Sequence, residues 1–229
     1  MPATHTLPTG DRRTLGERVN VHLRERLMGG EIASGDKLSL RAVAEALGVS
    51  MTPVREAVAR LAAEDALEVL PKSGVRVPLM TLTRFHELTT VRLAIEGFAA
   101  ECAALRRTDA DLAVIRTADA EFRRQCRAAR PDLARAVRAN KKLHFAVYQA
   151  AELPALTQII TGLWLKIGPV LNLDMRSSTR RLSQNEAQRH HAALVAALVA
   201  GDSAAARAAL VADIKGAARF IEVQGQLPA

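Results

Sequence analysis

Residues 47–61 read "LGVSMTPVREAVARL", and this stretch decides how the N-terminal third of the chain folds. Gly48 is free to take a positive φ, so "LGVS" reads as a tight turn. Ser50 or Thr52 then caps a helix with Pro53 in its first turn, where the missing N–H costs nothing. Val54, Val58, Leu61 and Ala62 recur at helical spacing and line one side. Thr52, Arg55 and Ala59 fall on another side, with Met51 beside them. A hydroxyl and a guanidinium at an exposed helix start suit the DNA major groove. There arginine pairs bidentately with guanine, and a helix N-terminus meets phosphate. The other reading of Arg55 is a surface ion pair with a nearby carboxylate.

Upstream of the stretch, Leu15, Val19, Leu23 and Leu27 recur every fourth residue, an amphipathic helix that "GG" at 29–30 ends. "EIASGDKLS" is read as a loop. Ser39 caps a second helix whose Leu40, Val43, Ala44 and Leu47 follow i, i+3, i+4, i+7. Two short helices joined by a Gly turn are the helix-turn-helix signature. Downstream, "LEVLPKSGVRVP" sets apolar runs at 67–70 and 75–77 around Pro71, Ser73 and Gly74, which is a hairpin placed as a wing.

From Pro78 the pattern is helical, punctuated by "RRTDAD", "ARPD", "AELPA", "IGP" and "AGDS". The breaks place helices at about 81–107, 109–129, 132–150, 154–173, 179–200 and 203–222. The fold class is therefore mainly α: an N-terminal winged helix-turn-helix with a small β-hairpin wing, then an antiparallel bundle of about six helices. The expected division is a disordered start over 1–13, a DNA-binding domain over 14–78 and a linker over 79–82. A helical effector-binding and dimerisation domain over 83–222 and a tail over 223–229 complete it.

Composition agrees. Hydrophobic residues make up 49% and aromatics only 3%, which favours helix over sheet. No apolar run approaches the roughly 20 residues a membrane span needs. "MPATHTLPTG" does not read as a signal peptide, so a cytoplasmic protein is expected. Cys102 and Cys126 lie far apart with no CxxC and read as reduced, helix-packed thiols. The formal charge is +8, but residues 1–80 hold 11 Lys+Arg against 10 Asp+Glu, so charge alone does not locate a DNA surface. Arg123, Arg124, Arg127, Arg130, Arg135 and Arg138 read as a solvated helix face.

"KLSLRAVAEALGVSMTPVREAVARL" followed by "EVLPKSGVRV" resembles the winged helix of GntR-type bacterial transcription regulators, without gaps across residues 15–78. The resemblance implies that Arg41, Ser50, Thr52 and Arg55 meet operator DNA, with Lys72 and Gly74 at the wing tip. Two departures stand out: Met51 where arginine is usual, and Asp65-Ala66 where Gly-Leu is usual. "VRLAIEGFAAECAA", "NKKLHFAVYQAA" and "HHAALVAALVAGDSAAARAALVADI" resemble the all-helical FCD effector domain of the FadR subgroup. In many of its members an Asp and three His bind a divalent metal. The matched positions are Asn140, His144, His191 and Asp213, so the one carboxylate has changed place. Arg92 matches an arginine that lines the effector cavity.

Spacing supports that grouping separately. Asn140 and His144 are i and i+4, on one helix face. His191 and Asp213 are each 11 residues from Asp202 in the "AGD" turn, and so face one another across a helical hairpin. Two imidazoles, a carboxylate and an amide oxygen suit Zn²⁺, Ni²⁺ or Mn²⁺ with positions left for a ligand. The other reading is a buried polar cluster without metal. His190 points about 100° away and is expected to be exposed. Arg92 either receives an effector carboxylate or pairs with Glu96, four residues on.

The function expected is a homodimeric, DNA-binding transcription regulator, a repressor on a palindromic operator. A small organic acid, bound beside Arg92, Asn140, His144 and His191, controls it. A metal-responsive regulator is the alternative. A metal-dependent hydrolase or lyase is the enzyme alternative, and no HExxH or nucleophile motif supports it, so no catalytic residue is expected.

Overall fold

The structure is a computed structural model that describes residues 13–71, 74–177, 182, 185–224 and 227–228, with backbone only for 172–177. The N-terminal unit opens with α1 (Leu15–Met28), whose Thr14 and Glu17 form a reciprocal capping box. β1 (Lys37–Leu38) precedes α2 (Leu40–Leu47) and α3 (Met51–Ala63), and β2 (Glu68–Leu70) and β3 (Gly74–Arg76) follow. Ser39 accepts from the Ala42 amide at the start of α2, as its position before the apolar run predicts. Gly48 ends α2 at φ 64°, the left-handed value the tight turn requires.

The wing is larger than the hairpin read from sequence. β3 pairs antiparallel with β2 (Val69 opposite Val75), and also with β1 (Leu38 opposite Val75), giving the order β1-β3-β2. The segment "EIASGDKLS" is thus not wholly loop, for Lys37 and Leu38 close the sheet's second edge. Two residues are too few to show a period of two. Val19, Leu23, Leu27, Val43, Leu47, Val54, Val58 and Leu61 share one core, and burying each large side chain contributes about 1.5–3 kcal/mol.

The helical part contains α4 (Leu82–Arg106), α5 (Asp109–Arg127), α6 (Leu133–Ala150), α7 (Pro154–Ser177), α8 (Glu186–Ala200) and α9 (Ser203–Gln224). The breaks at Thr108, Asp132 and Gly201 fall where the sequence put them. Thr108 forms a second capping box with Asp111, Asp132 accepts from the Arg135 amide, and Gly201 ends α8 at φ 72°. α8 starts at Glu186 rather than 179; most of 178–184 lies outside the described residues. α9 runs to Gln224, and Leu227 packs on the core, so the tail after 222 is partly built into the bundle.

α4 packs on α9, α5 on α6, and α8 on α9, while α7 touches both α4 and α6. α7 also meets α1, which itself carries α3. The approach is close: a Cβ on Gly168 of α7 would lie 2.7 Å from Met28 Cα and 2.9 Å from the Leu27 carbonyl oxygen. Beside it Lys166 Nζ reaches Asp65 Oδ2 at 3.3 Å, just beyond the end of α3. Asp65 holds φ 55°, a conformation that favours glycine and that aspartate tolerates. At this departure from the GntR pattern the backbone is left-handed, and the side chain supplies a contact to α7.

Candidate DNA-reading surface and buried polar site

α3 divides as its spacing predicts. Pro53, Val54, Ala57, Val58 and Leu61 are buried, while Thr52, Arg55 and Ala59 are exposed. Ser50 occupies the N-cap, but its side chain makes no cap hydrogen bond, and Thr52 lies inside the helix; neither hydroxyl is spent on capping. Arg55 forms no ion pair with a described carboxylate, which removes the support for its surface-pair reading. Arg41 is exposed on α2 and pairs with Glu45 at 3.2 Å, an exposed i, i+4 contact worth little in water and readily exchanged for phosphate. Gly74 is exposed at φ 92°, with open space where a side chain would stand, while Lys72 lies outside the described residues. Met51 is only half-buried and packs against the core edge.

In the helical part, the hairpin of α8 and α9 brings His191 and Asp213 together, as the count from Asp202 required. His191 Nε2 lies 3.6 Å from Asp213 Oδ1, and His144 Nε2 of α6 lies 3.2 Å from Oδ2 of the same carboxylate. Ligand atoms of the three residues fall within 4.8 Å of one another, and all three are buried. Asn140 is buried one turn before His144. Two ligands about 2.1 Å from a tetrahedral ion sit roughly 3.4 Å apart, so these separations fit a bound divalent cation. The borderline donor set of two imidazoles and one carboxylate fits as well.

Behind His144 runs a second polar chain that sequence spacing does not reveal. His144 Nδ1 is 3.1 Å from the Tyr148 hydroxyl, and Tyr148 donates to Glu96. Arg92 completes it with Nε 2.6 Å from Glu96 Oε1 and Nη2 3.2 Å from Oε2. Arg92 thus pairs with Glu96, the second of its two sequence readings, and both are almost wholly buried. Burial works to lower the Arg92 pKa, but the Glu96 charge and hydrogen bond overcome it and hold the guanidinium above its ordinary value. Burial, then the Glu96 charge, push the Tyr148 phenol well above its ordinary value. Trp164 of α7, fully buried, lies with its ring 5.5 Å from the His144 ring and 5.4 Å below the Arg92 guanidinium.

The sequence singled out neither Tyr148 nor Trp164. Tyr148 stands at i+4 from His144, so the helix period itself places it on the same face as Asn140 and His144. That signal was available. No local signal places Trp164. His190 is half-buried beside Glu186, Nε2 to Oε1 3.8 Å, and is less exposed than expected. Cys102 and Cys126 are both free, and burial pushes the Cys126 thiol up to about 11, so it stays protonated at neutral pH. Arg123 and Arg124 pair with Asp119 and Glu121 along α5.

A winged helix with an exposed reading helix, joined to a helical domain that encloses a polar cluster, defines a DNA-binding transcription regulator with its own sensing domain. Comparison with known proteins gives the same class: residues 15–77 match the bacterial regulatory proteins of the gntR family, and residues 87–216 match the FCD domain. The chain belongs to the GntR family of transcription regulators, in the group that carries an FCD domain. It is 29% identical to the HTH-type transcriptional regulator McbR of Escherichia coli over 190 residues, 83% of this chain and 85% of that one. The solved structure of E. coli McbR/YncC superposes with a TM-score of 0.86 at 26% identity, covering 93% of this chain and all (100%) of that chain. The gluconate operon transcriptional repressor of Bacillus subtilis is 38% identical over 90 residues, 39% of this chain and 37% of that protein. A putative GntR regulator from Rhodococcus sp. RHA1 shares the fold, with a TM-score of 0.73 at 22% identity and coverage of 91% and 97%. Regulators of this family bind operator DNA, and their relationship to this chain argues for regulation rather than catalysis. No helix among the described residues is long and apolar enough to cross a membrane.

Proposed function

We propose that this chain is a homodimeric repressor, acting in the cytoplasm on a palindromic operator. A small carboxylate, bound in the helical domain beside a divalent metal, releases it. Residues 14–78 form the DNA-binding domain and 83–222 the sensing and dimerisation domain, joined by 79–82. The observation that carries this reading is the buried cluster of His144, His191 and Asp213, continuous through Tyr148 and Glu96 with Arg92.

His144, His191 and Asp213, with Asn140 on the His144 face, are the residues that would hold Zn²⁺, Ni²⁺ or Mn²⁺. Such an ion, when bound, supplies a Lewis-acidic partner for an effector oxygen. Arg92 presents a planar fork that holds the Glu96 carboxylate, the geometry in which an effector carboxylate would be received in exchange. Trp164 lies against both groups, and four residues further along α7 Gly168 rests on the backbone of Leu27 and Met28. A shift of α7 on effector binding is therefore delivered to α1, and through Lys166 and Asp65 to the end of α3. It changes DNA affinity only if the effector binds the two arrangements unequally.

Thr52 and Arg55 read bases from the exposed start of α3, Arg41 and Ser50 contact the operator beside them, and Lys72 and Gly74 at the wing tip approach the minor groove or the backbone. Two copies are needed because one reading helix spans only a few base pairs. Val91, Phe98 and Leu105, seven residues apart and all exposed on one face of α4, supply an apolar stripe for pairing. The kinship with a protein named as an operon repressor supports the sign of regulation.

The test is a thermal-shift screen of small carboxylates with and without Zn²⁺, Ni²⁺ and Mn²⁺, followed by operator titration with each hit and repeated on Arg92→Ala. A metal-dependent carboxylate hit that weakens operator binding and is lost in Arg92→Ala is expected. The complete burial of His191 favours a second reading, in which the ion itself is the signal. In that case metal alone alters operator binding and no carboxylate adds to it.

A further inference from the structure

We infer that Tyr148 and Glu96 are positioning residues for His144, fixing its ring proton on Nδ1 and so leaving Nε2 as a metal ligand atom. Glu96 receives both the Nε–H and an Nη–H of Arg92, which marks it as an ionised acceptor with no proton of its own. Tyr148 has one hydroxyl proton, and its contact with Glu96 uses it. The Tyr148 oxygen then offers only lone pairs toward His144, so Nδ1, 3.1 Å away, must be the donor.

On the other side of the ring, Nε2 faces Asp213 Oδ2 at 3.2 Å. With Nδ1 holding a proton, a divalent cation bound between Nε2 and that carboxylate meets a lone pair on Nε2, and in its absence a second proton can bridge the two. Without Tyr148 a neutral ring would place its one proton on Nε2 and donate it to the Asp213 carboxylate, a satisfied hydrogen bond that takes the lone pair a metal needs. The chain from Arg92 through Glu96 and Tyr148 is what prevents this. It also joins His144 of α6 to Arg92 of α4. Trp164 against both His144 and Arg92 excludes water, which would otherwise supply alternative donors and release the ring.

The metal half of this inference rests on the proposed function; the tautomer half does not. The experiment is long-range ¹H–¹⁵N NMR of histidine rings in the full chain, metal-free and with one equivalent of Zn²⁺, beside a Zn²⁺ titration against a chromophoric chelator. The wild type is expected to carry the His144 proton on Nδ1 in both states, with zinc on Nε2. Tyr148→Phe is expected to move the proton to Nε2 and weaken zinc about 10–100-fold, the usual effect of losing a residue that orients a ligand histidine. A melting curve establishes that the variant is folded. If it does not fold, the metal-free wild-type spectrum decides: a bare Nδ1 overturns the inference. Zinc bound through Nδ1 overturns it too, as does an unchanged zinc affinity in folded Tyr148→Phe. A wild type that takes up no zinc but shows the Nδ1 proton refutes the metal reading and the ligand role with it, while the tautomer assignment stands.

Discussion

Gly168→Ala tests the contact through which we propose that the two parts of the chain communicate. The added Cβ would stand 2.7 Å from Met28 Cα, 2.9 Å from the Leu27 oxygen and 3.0 Å from the Met28 oxygen. Carbon atoms in ordinary contact lie about 3.5–4.0 Å apart, so α1 and α7 must separate by roughly 1 Å. All three obstacles are backbone atoms, which no rotamer change removes. Overpacking of this kind costs about 1–3 kcal/mol, offset by up to about 1 kcal/mol because alanine favours helix over glycine. A net loss of roughly 1–2 kcal/mol is expected, which for a chain of this length lowers the melting temperature by about 2–8 °C. Gly162 on the same helix is the internal control: nothing lies within 4 Å of its Cβ position, so Gly162→Ala is expected to be neutral or stabilising by up to about 1 kcal/mol. Melting is followed by circular dichroism, with operator titrations of each variant in the presence and absence of an effector found by the screen. Gly168→Ala should retain Thr52 and Arg55 and hence DNA binding, while the effect of effector on that binding is blunted. If Gly168→Ala melts like Gly162→Ala and responds normally to effector, α1 and α7 do not meet in the way described, and α7 does not carry the signal.

Arg55→Ala is expected to cost about 1–3 kcal/mol of operator binding and to relax base choice, with no change in melting because the side chain is exposed. An unchanged base preference in a titration series would show that α3 does not read with this residue. Met51→Arg places a cation at the core-edge start of α3 and should steepen the salt dependence of operator binding by about 0.9 in log–log slope; an unaltered slope means the position does not approach a phosphate. Asp119 is buried in α5, and burial raises its pKa against the partial offset of Arg123 at 2.8 Å. A raised folded pKa makes its contribution fully present below the ordinary value of 3.8 and lost as pH rises through the raised value. Asp119→Asn is accordingly expected to raise the melting temperature near neutral pH and to leave it unchanged at a pH of about 3; equal shifts at both would contradict the assignment.

What was legible in the sequence is what local geometry decides. Ser39 and Gly48 act within one turn of their own position, and the period of α3 alone sorts Val54, Val58 and Leu61 from Thr52 and Arg55. The meeting of His191 with Asp213 is long-range, yet it was also legible, because an antiparallel hairpin pairs residues by their count from the turn at Asp202. The β1 edge was not, since Lys37 and Leu38 carry no periodicity and are strand only because β3 offers an unpaired side. Trp164 and Gly168 were not either: their partners, Arg92 and Met28, come from helices whose angle to α7 no spacing encodes.

Asp65 marks the boundary between these cases. The sequence shows a departure from glycine, and the expected effect is confined to the approach to the wing. The structure has the left-handed conformation at φ 55° and places the carboxylate 3.3 Å from Lys166. An exposed pair of this kind contributes at most about 1 kcal/mol, comparable to what the strained backbone costs, so stability gives little reason to prefer aspartate to glycine here. The contact does tie α7 to the end of the reading helix. On the proposed function its consequence belongs to the coupling between the two parts of the chain, and Asp65→Gly is expected to leave melting nearly untouched while altering how strongly an effector found by the screen changes operator binding.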